Sequence, residues 1–247
     1  MPYMSISRKI ACVALLSLLS TPTFAGDPQQ SHMKPTSVEF SVKWNPIDGG
    51  PKSAKKAAEL LNLAYDDPDN YFVQYYSFDG SKKGPKGAKG ILRHRIKNQK
   101  KEELTIKYRS DKPFELESWA CPMSGTDGTI KYEIDTSLLA DQKQSQAYSL
   151  SCDLEDSTAI NTELTKQRAE KLDCPVWMVR SKIGAFKAEE WHICSDFFIE
   201  ISSSKKLDGD DFQEALKSFQ TKIVDVLTHE GAKPLSRSKT DAASDCR

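Results

Sequence analysis

Histidine is scarce in this 247-residue chain, and none of His32, His94, His192 and His229 falls in an H-E-x-x-H or similar metal-binding spacing. No G-x-S-x-G is present, which removes the usual sequence sign of a serine hydrolase of the α/β type. No C-x-x-C is present, so neither a dithiol redox site nor a zinc ribbon is indicated. The Gly/Lys stretch Ser81–Gly90 lacks the G-x-x-x-x-G-K-[ST] spacing of a nucleotide-binding loop. It reads as a surface loop or as a basic lid over an anion. Charge of either sign is not in excess, with 35 basic against 35 acidic side chains. A general nucleic-acid binder is therefore not indicated, and any basic function has to be built by local clustering. No internal repeat is visible, and no stretch is long and apolar enough for a membrane helix.

What is there begins with targeting. Arg8 and Lys9 precede the apolar run Ile10–Leu19 and then Thr23-Phe24-Ala25, the layout of an export signal cut after Ala25. Residues 1–25 are read as that signal. The expected location is exported, periplasmic or secreted, with no membrane span once the signal is gone. Its removal leaves 33 basic against 35 acidic side chains, a net of −2. Five cysteines remain, and an exported chain favours disulfides. Nearness in sequence suggests Cys121 with Cys152 and Cys174 with Cys194, leaving Cys246 free or displacing one of those.

Residues 34–231 read as a single domain of strands and about three helices. Val38–Trp44 alternates strictly, with Val38, Phe40, Val42 and Trp44 on one face and Glu39, Ser41 and Lys43 on the other. Ser53–Tyr65 has helical spacing. Tyr71–Phe78, Ile91–Lys97, Leu104–Arg109, Phe114–Cys121, Thr129–Asp135, Ala147–Leu154, Val176–Ile183 and Glu190–Ser202 are strand candidates, with Asp127-Gly128 as a hairpin signal. In the last of these, Trp191, Ile193, Phe197, Ile199 and Ile201 share a parity. Thr158–Leu172 reads as a helix capped by Asp156 or Ser157. Asp208–His229 carries an apolar stripe that Gly231 can close. Residues 232–247 are polar and are expected to be a disordered tail.

At least five strands carry charge on one face. The basic positions come in runs: Arg93, Arg95 and Lys97, then Lys107 and Arg109, then Arg180 and Lys182. Like charges on neighbouring strands repel. Glu39, Glu133, Asp135, Asp196 and Glu200 could offset them. A sheet of this kind either leaves its charged face in water or curls around a wet lumen. The periodicity leaves both open.

The order of these motifs resembles the CYTH-like, or triphosphate tunnel, superfamily. Glu39-Phe40-Ser41-Val42-Lys43 stands where that family has E-x-E-x-K, Leu92-Arg93-His94-Arg95 where it has L-R-x-R, and Thr105-Ile106-Lys107-Tyr108-Arg109 where it has T-x-K-x-R. Val179-Arg180-Ser181-Lys182 and Phe198-Ile199-Glu200-Ile201 match its late strands. The resemblance spans about Val38 to Ser202. It implies an α+β fold, a closed or nearly closed antiparallel β-barrel of about eight strands with a charged lumen, packed by about three helices. It implies Glu39 and Lys43 in catalysis, Glu39 and Glu200 as ligands of magnesium or manganese, and Arg93, Arg95, Lys107, Arg109, Arg180 and Lys182 on a phosphate-rich small-molecule anion. Ser41 departs from the family's second glutamate, and a hydroxyl is a poorer ligand for a hard cation. Three functions follow: a metal-dependent triphosphate or polyphosphate phosphohydrolase, a binding module without turnover, or a structural or interaction protein with a solvated charged sheet. Nucleic acid is not expected as a partner.

Overall fold

The computed structural model describes residues 33–79, 84–123, 129–140, 143–207 and 212–246. The expected export signal, the expected Asp127-Gly128 turn and residues 81–83 of the Ser81–Gly90 stretch lie outside the described residues. Ten strands and five α-helices are described: β1 (Ser37–Trp44), α1 (Ala54–Leu60), β2 (Asp69–Ser77), β3 (Lys89–Lys97), β4 (Lys101–Ser110), β5 (Ile130–Leu138), β6 (Gln144–Leu154), α2 (Ser157–Lys166), β7 (Glu170–Lys171), β8 (Val176–Ile183), β9 (Phe186–Ile193), β10 (Asp196–Lys206), α3 (Phe212–Phe219), α4 (Asp225–His229) and α5 (Lys239–Ser244). A π-helical turn, Gln220–Val224, joins α3 to α4. Among the described residues no helix is long and apolar enough to cross a membrane.

The sheet closes on itself. Its order is β3-β4-β6-β5-β1-β10-β9-β8-β2, and β2 returns to pair with β3, with short β7 attached to β2. The barrel therefore has nine strands rather than about eight. It is mixed rather than purely antiparallel, because β1 pairs parallel with β5. Every other pairing of the described strands is antiparallel. The parallel seam follows from the long excursion through β2, β3 and β4 before β5 returns to lie beside β1, since only a crossover can bring two strands side by side in the same direction.

Period-2 patterning fixes which side chains face in. Val38, Phe40, Val42 and Trp44 are wholly buried on the outer face of β1, with Ile199 and Ile201 of β10 beside them. They are covered by Ala54, Ala57 and Ala58 of α1 and by Phe219, Ile223, Val224 and Leu227 of the α3–α4 helix. The Phe40 ring sits 5.5 Å from Phe212 and 6.2 Å from Phe219. On the opposite wall, Leu104, Ile106, Tyr132, Leu150 and Leu154 pack outward with Ile160 of α2. The apolar faces thus point out under helices, and the alternate, charged faces point in.

Four sequence expectations are corrected. Phe114–Cys121 forms no strand. Pro113 and Pro122 flank it and cannot donate to a ladder. It lies as a strap on the outer wall, with Phe114 and Met123 buried and the Phe114 amide donating to the Tyr132 hydroxyl at 2.9 Å. Glu190–Ser202 is a hairpin, not one strand: Cys194 takes φ +55° in the turn. The parity flips there, so Trp191 faces in while Phe197, Ile199 and Ile201 face out. Both early helices are shorter than expected. Asn62 at φ +53° follows α1, and Arg168 at φ +47° follows α2. Asp156 caps α2 as expected, accepting from the Thr158 amide at 2.9 Å. Lastly, the tail is ordered where it was expected to be disordered, because Ala242 and Ala243 of α5 bury against the barrel end beside Val176, Trp191 and Phe198.

Candidate functional site

Inside the barrel is a cavity of about 280 Å³. Its cationic wall comes from Arg93 and Arg95 on β3, Lys107 and Arg109 on β4, Lys131 on β5, Arg180 on β8 and Lys187 on β9. Glu39, Glu133, Asp153 and Glu189 are its carboxylates, and Lys239 enters from α5. The charged positions of separate segments therefore share one interior cavity, which settles the choice between the two sheet arrangements.

The two signs are interleaved. Asp135 on β5 receives Arg109 at 2.7 Å and Lys107 at 3.1 Å. Burial alone would raise its carboxyl, but those two cations overcome it and hold Asp135 at about 2. Arg95 pairs with Glu103. Asp153 accepts from the Thr105 hydroxyl at 2.7 Å and from Lys131 at 2.6 Å. Three guanidinium edges remain over: the Nε atoms of Arg93, Arg95 and Arg109 are buried and have no hydrogen-bond partner among the described residues. Unpaired buried donors are costly. Burial also lowers the Lys107 ammonium against the pull of Asp135, with Arg109 and Arg93 adding repulsion. This wall carries more positive charge than its carboxylates neutralise.

The opposite wall is different. Glu189 on β9 lies cross-strand from Glu200 on β10. Lys239 bridges them, at 3.1 Å from Glu189 and 2.7 Å from Glu200, with its ammonium 4.6 Å from the centre of the Trp191 ring. Arg180 approaches Glu189 at 2.8 Å, and the Trp191 indole donates to it at 2.9 Å. Burial would raise the Glu189 carboxyl, but Lys239, Lys187 and Arg180 hold it well below the usual range. Lys187 bonds Glu39 at 2.7 Å. Burial would lower Lys187, yet Glu189, Glu39 and Glu200 together raise it. Three carboxylates and three cations thus compensate one another on this wall.

Of the residues expected at the site, Arg93, Arg95, Lys107, Arg109, Arg180 and Glu39 line the cavity. Lys182, although it shares their strand parity, is exposed at the end of β8 and is not in the lining. Lys43 is buried beneath the tail and donates to the Arg237 carbonyl oxygen at 3.0 Å. Burial lowers its ammonium although Glu200 opposes this. Glu200 faces the same interior as Glu39, but each carboxylate is engaged by a different lysine, Lys239 and Lys187 respectively. Asp196, considered as an offsetting carboxylate, sits at the rim with Arg237 at 2.8 Å. Lys131, Asp153, Lys187, Glu189, Trp191 and Lys239 were not singled out. Lys187, Glu189 and Trp191 alternate along β9; Lys187 and Glu189 precede the expected strand start at Glu190, and Trp191 was hidden by treating β9 and β10 as one strand. Nothing in the sequence marks Lys239.

The cysteines fall into two groups. Cys121 and Cys152 bridge the strap to β6, with Cα atoms 6.0 Å apart. Cys174 and Cys194 are brought together, but Cys246 lies with them. That trio is the one group of three potential metal-ligating atoms found close together among the described residues.

No family model and no curated protein matches this sequence. Several solved structures are similar in shape. A protein from Pyrococcus horikoshii OT3 is 15% identical with a TM-score of 0.48, covering 85% of this chain and 99% of its own. A proposed adenylyl cyclase from Hippeastrum, described as having a dominant triphosphatase activity, is 12% identical with a TM-score of 0.47, covering 85% and 95%. A proposed adenylate cyclase from Vibrio parahaemolyticus is 12% identical with a TM-score of 0.44, covering 86% and 99%. Identities this low leave the chemistry of the lumen to its own residues. The closed barrel with a charged interior that the triphosphate-tunnel resemblance implied is the architecture observed.

Proposed function

We propose that the protein is exported and binds a phosphate-rich small anion, of the inorganic tripolyphosphate or polyphosphate class, inside the barrel. The observation that carries this reading is the set of unpartnered Nε donors on Arg93, Arg95 and Arg109, all buried on the β3–β4 wall. Guanidinium groups donate in a fixed fork that matches phosphate oxygens. A chain of phosphates along β3 and β4 would satisfy donors that have no partner among the described residues, and would offset the repulsion that Arg109 and Arg93 add to the burial of Lys107. The cavity is near the lower end of small-ligand pockets. Export supports inorganic phosphate chains over nucleoside triphosphates, and five cysteines placed to form bridges are consistent with an oxidising compartment.

A second reading, metal-dependent hydrolysis, draws on Glu189 and Glu200. Two carboxylates share one cation there, the ammonium of Lys239. If Lys239 withdrew, they could present oxygens to Mg²⁺ or Mn²⁺, an ion that would polarise a phosphoryl oxygen. With Lys239 seated and Arg180 on Glu189, the pair is already neutralised, and this favours binding over turnover.

Titration calorimetry of the full chain with tripolyphosphate tests the first reading. Binding should weaken as salt rises, and Arg95→Ala should weaken it by about 10- to 100-fold, the loss of one charge-assisted contact. Absence of binding, or an unchanged affinity in Arg95→Ala, would overturn it. Phosphate release with Mg²⁺ or Mn²⁺ present, abolished by Glu189→Gln and Glu200→Gln, would establish the second reading; binding without release under the same conditions would overturn it.

A further inference from the structure

The C-terminal segment does more than cover one end of the barrel. Cys174 precedes β8, Cys194 occupies the turn between β9 and β10, and Cys246 follows α5. The Cα of Cys246 is 5.7 Å from that of Cys174 and 6.2 Å from that of Cys194, both within reach of an ordinary disulfide. The sulfurs of Cys174 and Cys194 are 2.7 Å apart. Three sulfurs that can all reach one another support one disulfide at a time, and the third thiol is then held beside a bond it can attack. Cys174 is buried, and Cys194 is exposed to thiols in solution.

We propose that Cys174, Cys194 and Cys246 form a thiol–disulfide exchange latch that fastens or releases α5, and with it the Lys239 plug in the lumen. In the released form Cys174 and Cys194 are bonded to each other. The Cys246 thiolate attacks the Cys174 sulfur, a Cys174–Cys246 bond forms, and the Cys174–Cys194 bond breaks. Cys194 leaves as the thiolate and takes up the proton that Cys246 gave away. One disulfide is lost and one is made, so no oxidant or reductant is consumed.

When fastened, α5 cannot leave, and Lys239 stays across Glu189 and Glu200. When released, the segment is held by contacts that water can replace: Lys239 with its two carboxylates, Arg237 with Asp196, Lys43 with the Arg237 carbonyl, and the small apolar patch of Ala242 and Ala243. The consequence for ligand entry rests on the anion-binding reading of the lumen. The latch itself does not.

Two variants of the full chain isolate the two forms. Cys194→Ser leaves Cys174 only Cys246 to pair with. Cys246→Ser leaves the Cys174–Cys194 bridge intact, so the barrel keeps a covalent pair. Hydrogen exchange read by mass spectrometry should show α5 amides exchanging at least about tenfold faster in Cys246→Ser than in Cys194→Ser, with β8 to β10 unchanged. Acid-trapped peptide maps of the unaltered protein should contain both Cys174–Cys194 and a Cys246 linkage, and a catalytic amount of thiol should speed their interconversion without changing the final proportions. Equal α5 exchange in the two variants would overturn the latch. So would a map holding Cys174–Cys194 alone with Cys246 fully alkylated, or three free thiols in the air-exposed protein. None of these readouts involves a ligand, so the latch and the anion site can fail separately.

Discussion

Replacing Asp135 by asparagine should destabilise the empty protein and strengthen its grip on a polyanion. The carboxylate is 14% exposed and receives Lys107 and Arg109. Its folded-state pKa is about 2, against the usual 3.8. A depression of that size corresponds to about 2.5 kcal/mol of stability at neutral pH. The sign follows from linkage. Because the folded value is depressed, the contribution is complete above the unfolded value and is lost as pH falls toward the folded one. About 1.4 kcal/mol should remain at pH 3 and little below pH 2. Urea unfolding of Asp135→Asn should therefore show a deficit of about 2.5 kcal/mol at pH 7 that holds until about pH 4 and narrows below it. The variant also adds one net positive charge to a wall that already holds unpartnered guanidinium donors. Tripolyphosphate should bind it more tightly than the unaltered protein, so the stability deficit shrinks or reverses when ligand is present. An equal deficit at pH 7 and pH 3 would refute the electrostatic account of the lumen. A deficit that tripolyphosphate leaves untouched would refute the placement of the anion on this wall.

Further perturbations test other parts of the same picture. Lys187→Met separates Glu39 from its partner at 2.7 Å and should lower stability at pH 7. Since Lys187 is raised in the folded state, that deficit should hold below the ordinary lysine value and fade as pH rises beyond it, which unfolding curves from pH 7 to pH 11 would follow. Phe40→Ala removes a ring wedged between β1 and the α3–α4 helix and should cost about 3–5 kcal/mol by urea unfolding, with the lumen left to bind as before. Lys182→Ala should leave tripolyphosphate affinity within experimental error in calorimetry, because its side chain lies outside the cavity lining.

Much of the barrel was legible because its strands obey the simplest rule available. Val38, Phe40, Val42 and Trp44 alternate without a break, and so do Arg93, Arg95, Lys107 and Arg109 on their strands, so the assignment of faces needed no tertiary knowledge. Closure was not legible. A charged strand face looks the same in sequence whether it meets solvent or a lumen, and the resemblance, not the periodicity, chose between them. The β9–β10 hairpin was lost because its turn has no glycine: Cys194 itself takes the left-handed conformation. That omission reversed the facing of Trp191, and starting the strand at Glu190 left Lys187 and Glu189 out of it. The tail was misread for a different reason. Its composition is polar and its helix short, so nothing local predicts order, and what holds it is long-range: two carboxylates, a buried lysine beneath a carbonyl and a pair of cysteines distant in sequence.

The lumen divides by charge, and the division says where each kind of ligand could go. On β3 and β4, cations outnumber the carboxylates that reach them, and three guanidinium donors have no partner among the described residues. On β9 and β10, the carboxylates are fully engaged, but by lysines from two different parts of the chain, one of them on a segment that lies outside the barrel. An anion added to the first wall relieves repulsion and satisfies buried donors at once, whereas a cation added to the second must first displace an ammonium. On the proposed reading, anion binding is accordingly the reaction the folded chain is already arranged for. Cation entry is conditional on Lys239. If Lys239→Ala left both tripolyphosphate affinity and the Mg²⁺ or Mn²⁺ dependence of that affinity unchanged, the two walls would not be coupled through the tail, and the conditional order would be wrong. The expected result is a metal dependence that appears only when Lys239 is removed, read as a shift in tripolyphosphate affinity by calorimetry with and without the divalent ion.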